Sequence, residues 1–73
     1  MKIGQPCIVT ARSDFYAAID GWPVEVVAIE GLTASAAVPA PARGMAWVKH
    51  TNEERVAHFL VPVDQLRPVA QPH

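Results

Sequence analysis

The sequence predicts an all-β chain, a small closed antiparallel barrel of five strands with a single 3₁₀ turn before the last strand. Three observations carry that expectation. Four short runs rich in β-branched and aromatic residues stand between turn signals, and none shows the 3.6-residue periodicity of a long amphipathic helix. The four glycines, at 4, 21, 31 and 44, fall at run boundaries, where turns need them. At 73 residues there is room for one domain with a small core.

The first run is Cys7-Ile8-Val9-Thr10-Ala11. It is followed by a polar and aromatic loop from Arg12 to Trp22 that closes on Asp20-Gly21, a strong turn pair. The second run is Val24 to Ile29, ended by Glu30-Gly31. Glu25 belongs outside because burying its charge is costly, so Val27 and Ile29 follow it outward and Val24, Val26 and Ala28 point in.

Leu32 to Arg43 is dominated by Ala, Pro, Ser and Thr, and Pro39 and Pro41 cannot donate to a ladder, so this stretch reads as a mobile loop. A helix over Thr33 to Val38 is the weaker reading, because six residues fall short of the nucleation cost.

Met45 to His50 and Val56 to Val61 flank the polar connection Thr51 to Arg55 and read as an antiparallel hairpin. Polarity sets the register. Val48 opposite Phe59 places Ala46, Val48, Ala57, Phe59 and Val61 inside and Trp47, Lys49, His58 and Leu60 outside, whereas the neighbouring register buries His58 or Lys49. Pro62 then starts a 3₁₀ turn over Val63 to Leu66, a short strand runs from Arg67 to Val69, and residues 70–73 fray. The domain therefore spans residues 1–69.

This order of elements resembles an SH3-like barrel. The segment Phe59-Leu60-Val61-Pro62-Val63-Asp64-Gln65-Leu66 resembles the aromatic-x-V-P-x-x-x-L ending of KOW-like and other bacterial SH3-like domains. The resemblance implies an architecture rather than an activity. The same tail is similar to that of the plasmid-encoded type II dihydrofolate reductases, whose tetramers line a pore with a Val-Gln-Ile-Tyr motif. Pro62, Val63 and Leu66 match that family, with Leu60 at the isoleucine. Phe59 stands at the glutamine and Val61 at the tyrosine, so the polar pore groups are missing.

Charge and composition narrow the function classes. Six basic residues face seven acidic ones, a net charge of −1, whereas a nucleic-acid binder usually carries a basic excess. Apolar residues make up 51 % and charged residues 18 %, which leaves few charges to cover a small fold. Cys7 alone excludes an internal disulfide and fits a reducing cytoplasm; no run has the length of a membrane span, so a cytoplasmic chain without a membrane partner is expected.

The chemistry-bearing residues form no catalytic constellation, and no cofactor is expected. Cys7, His50 and His58 can be drawn as a zinc site, but Cys7 belongs in the core and His58 outside, so no metal is expected. Two groups stand out instead. Phe15, Tyr16 and Trp22 lie in or close the first loop, which in SH3-like folds borders the surface for peptides or nucleic acid; Tyr16 is expected to be the most exposed. Val27, Ile29, Trp47 and Leu60 form an outer apolar stripe, which points to a homo-oligomer. The resulting expectation is a non-enzymatic interaction module that self-associates through that stripe, with a protein or peptide as further partner. The alternatives are a KOW-like nucleic-acid accessory domain using Arg12, Lys49 and Arg67, and an oligomeric pore enzyme of the reductase type.

Overall fold

The computed structural model describes residues 1–33, 36–52 and 57–69. The strands are β1 (Pro6–Val9), β2 (Pro23–Ile29), β3 (Leu32–Thr33), β4 (Met45–His50), β5 (His58–Pro62) and β6 (Leu66–Pro68). A 3₁₀ helix η1 (Asp14–Ile19) lies between β1 and β2, and a single 3₁₀ turn η2 (Val63–Gln65) separates β5 from β6.

All pairings are antiparallel, and the sheet follows the path β5-β4-β2-β1-β6, with β3 attached to β2. The all-β expectation and the 3₁₀ turn before the last strand are present. The strand number is six rather than five, and the sheet does not close into a barrel, because β5 and β6 form its two ends and do not pair. Proline explains part of this. Pro62 ends β5 and Pro68 ends β6, and neither has an N–H to offer a neighbouring strand.

The β4–β5 register is the one that polarity selects. Val48 faces Phe59, Trp47 faces Leu60 and Lys49 faces His58. Ala46, Val48 and Val61 are fully buried, and with Cys7, Val9, Val24, Val26 and Leu66 they form the main core. Ala57 departs from expectation: β5 begins only at His58, and Ala57 is exposed. Val56, residues 53–55 of the connection and the tail 70–73 lie outside the described residues.

Strand β2 holds the main correction. Its pairing with β4 steps from Val26↔Val48 to Ala28↔Trp47, two residues on β2 for one on β4. This β-bulge reverses the inside–outside alternation beyond it. Ala28, expected inside, joins Val27 on the outer side next to Trp47, while Ile29 packs against the main core. Val27 is not exposed, because Val38 covers it, leaving 6 % of its surface accessible.

The Ala/Pro-rich segment is thus partly structured. Leu32 and Thr33 return along β2 through a tight turn at Glu30-Gly31, where Gly31 takes φ 76, a left-handed value that costs other residues roughly 1–2 kcal/mol. Val38 is buried, and the Thr33 hydroxyl donates to its carbonyl at 3.3 Å.

Candidate functional site

The loop between β1 and β2 is held at both ends and along its length. At its base Val9 N–H donates to Trp22 O at 3.0 Å and Gly21 N–H to Val9 O at 2.8 Å. Ala11 N–H donates to Asp20 Oδ1 at 2.9 Å, which closes the loop across its neck. Gln65 anchors it to η2: its carbonyl accepts Thr10 N–H at 2.7 Å, and its Oε1 accepts Arg12 N–H at 3.1 Å. Gln65 is the one buried polar side chain among the described residues. Buried polar groups need partners, and this one finds its partner in the loop backbone.

Local sequence explains η1. Ser13, in extended conformation, precedes Asp14 in the first turn, a favourable place for a negative charge. Ser13 O accepts Tyr16 N–H, and Ala17 O accepts Asp20 N–H, both at 3.2 Å. The segment is too short to stand alone, and the anchors above supply what propensity does not.

The three aromatic residues of this loop divide by environment. Trp22 is half-buried against the main core, edge-on to Phe59 with centroids 5.6 Å apart and to His50 at 4.9 Å. Tyr16 was expected to be the most exposed, yet it is half-buried and its hydroxyl donates to Leu60 O at 3.1 Å. Phe15 takes the exposed place, with 83 % of its surface accessible, its ring edge-on to Tyr16 at 4.8 Å. Tyr16 therefore links Phe15 to strand β5 and its exposed Leu60.

Magnitudes indicate what each ring does. Burying a Phe side chain is worth roughly 1.5–3 kcal/mol, and an edge-to-face pair adds about 0.5–1.5 kcal/mol. Trp22 realises most of its burial within the fold. Phe15 keeps only the pair with Tyr16, so nearly all its burial energy remains for a partner.

The outer stripe divides in two. Val27 is covered and Ile29 turns inward, which leaves half-buried Trp47 beside exposed Leu60. A polar row runs beside them, His58–Lys49–Glu25, with Lys49 Nζ 3.7 Å from Glu25 Oε2. Lys49 therefore already faces a carboxylate. Arg12 and Arg67 are exposed without an ion-pair partner among the described residues.

The positions compared with the reductases serve packing. Phe59 meets Trp22 edge to face, and Val61 is fully buried. Cys7 is also in the core, while His50 Nδ1 accepts Asn52 N–H at 3.1 Å. Among the described residues no three His, Cys, Asp or Glu side chains group to hold a metal, and no helix is long and apolar enough to cross a membrane.

Burial pushes the Cys7 thiol above its ordinary value of 9.0, with the amino terminus opposing weakly. Two consequences are expected. A thiol reagent should label Cys7 far more slowly in the native protein than in urea, because the thiolate is the nucleophile. The unfolded thiol ionises first, so the stability held below pH 9.0 should decline as pH rises through that value. Urea titrations at pH 7 and pH 10, with Cys7→Ala as control, measure this; an identical pH dependence in the control would contradict it.

Sequence reasoning gave no role to Gln65 or Val38, and read Asp20 as a loop-closing turn residue without its bond to Ala11 N–H. Only Asp20 carried a signal, as a turn residue able to accept a backbone N–H. Compared with protein-family models, curated proteins and solved structures, the chain shows no significant match.

Proposed function

We propose that this chain is a non-enzymatic interaction module of SH3-like architecture that assembles with a second copy of itself through Phe15, Tyr16 and Leu60. The observation that carries the reading is Phe15. It is 83 % exposed, with its ring edge-on to Tyr16, whose hydroxyl donates to the Leu60 carbonyl of β5. A solvent-facing aromatic whose one recorded ring contact is with Tyr16 keeps most of its burial energy for a partner, which is the character of an interface hot spot.

Composition favours a second copy as the occupant. A chain of 73 residues, 51 % apolar and 18 % charged, buries a smaller share of its surface than a larger domain, and a two-fold contact adds to that burial. A net charge of −1 sets up little repulsion between copies.

The test is sedimentation velocity from micromolar to several hundred micromolar protein. The expected result is a mass rising above the 7.9 kDa monomer, and a monomer throughout for Phe15→Asp with an unchanged circular dichroism spectrum. Wild-type protein that stays monomeric, or Phe15→Asp that associates as wild type does, overturns the reading.

A further inference from the structure

The end of the sheet where β2 turns into β3 and β4 begins carries an open cavity of about 590 Å³, within the roughly 300–1,000 Å³ range of small-molecule sites. Its apolar walls are Met1, Ile29, Met45 and Val63, and Glu30 and Arg43 supply its charged groups. None of Phe15, Tyr16 and Leu60 lines it.

The walls are held by the fold. The β2 bulge turns Ile29 toward the main core, against which Ile29 and Val63 both pack. Val63 N–H donates to Gly44 O at 2.8 Å, which ties η2 to the start of β4, and Met45 N–H donates to Ala42 O at 3.1 Å. Ile29, Met45 and Val63 are each only half-buried, so they keep apolar surface that a ligand can cover. No wall is aromatic and methionine adapts its shape, which suits an aliphatic group.

The charged groups select the rest of the ligand. Glu30 follows β2 and Arg43 precedes Gly44, and they meet through one contact, Arg43 Nε to Glu30 Oε1 at 3.2 Å. Among the described residues the Arg43 Nη groups and Glu30 Oε2 have no further partner. The pair is largely in water and contributes little by itself, so a ligand can open it at little cost. An aliphatic acid gains Arg43 but sets its carboxylate against Glu30, and an aliphatic amine meets the converse conflict. A zwitterion satisfies both, its carboxylate on the guanidinium and its ammonium on the carboxylate. An α-amino acid carries both charges beside its side chain, matching a 3.2 Å ion pair next to apolar walls.

We infer that this cavity is a binding site for a free aliphatic α-amino acid, its side chain among Ile29, Met45 and Val63, its carboxylate on Arg43 and its ammonium on Glu30. The inference does not rest on self-association through Phe15.

The test titrates L-leucine and L-methionine into the full chain and follows amide NMR shifts. The expected result is saturable binding in the millimolar range, with shifts at Ile29, Glu30, Gly44 and Met45. Isocaproate lacks the ammonium of leucine, isoamylamine its carboxylate and glycine its side chain, and each should bind at least about tenfold more weakly. Arg43→Gln and Glu30→Gln alter exposed side chains, so both should fold as wild type does, and each should weaken leucine by at least about tenfold. Glu30→Gln should also narrow the gap between leucine and isocaproate, because the repulsion from Glu30 is gone.

Three results overturn the inference. One is no saturable shift up to the solubility of leucine. Another is isocaproate binding as tightly as leucine, which makes this a site for aliphatic acids. The third is leucine binding unchanged in either variant.

Discussion

Shortening Val48 to alanine should remove about 2–3 kcal/mol of stability, the transfer energy of two buried methyl groups plus the cavity left behind. Val48 is fully buried in β4, paired with Val26 on one side and Phe59 on the other. Both neighbours are held by ladders, so the site cannot collapse easily. A chain of this size has roughly 4–11 kcal/mol in total, which makes the loss a large share of it. Urea unfolding should show a lower midpoint with an unchanged slope. Leu60→Ala, exposed on the next strand, should cost less than about 0.5 kcal/mol. Equal costs for the two would mean that the inner and outer faces are wrongly assigned.

The second large effect separates two aromatic residues seven positions apart. Trp22→Ala should cost about 2–3 kcal/mol, less than a fully buried tryptophan because Trp22 is only half-buried. It loses edge-on contacts with both His50 and Phe59. Phe15→Ala should change stability by less than about 0.5 kcal/mol, since Phe15 is 83 % exposed. Thermal and urea unfolding of the two variants measure this directly. A costly Phe15→Ala would show that Phe15 serves the fold, and the proposed interface would lose its main residue.

Much of the sheet could be read from residue polarity alone. Lys49 and His58 cannot be buried cheaply, and that fact alone selects the Val48–Phe59 pairing found in the structure. Pro62 likewise marks where β5 ends and η2 begins. The bulge in β2 was not legible, because Val26, Val27 and Ala28 are all apolar and an extra residue among them changes no polar position. Everything beyond it followed: Ile29 turned inward and Ala28 outward.

The site was legible in composition but not in arrangement. Phe15, Tyr16 and Trp22 could be singled out as aromatic residues in or bordering a polar loop, yet which one faces solvent depends on a contact across 44 positions, Tyr16 to Leu60. Val38 was hidden in a similar way. Its neighbours Ala and Pro read as a loop, and only the bulge that brings Val27 and Ala28 together beside Trp47 gives a lone valine something to pack on. Gln65 looked like an ordinary turn residue until the loop backbone supplied its partner.

The most direct test of self-association through Phe15 is an isotope-filtered NMR experiment on a one-to-one mixture of labelled and unlabelled chains, at a concentration where the scattering mass has doubled. The account predicts intermolecular cross-peaks from the Phe15 ring to Phe15, Tyr16 or Leu60 of the other copy. Cross-peaks confined to other exposed apolar residues such as Leu32 or Val69, or a mass that stays at 7.9 kDa even at millimolar protein, would contradict it.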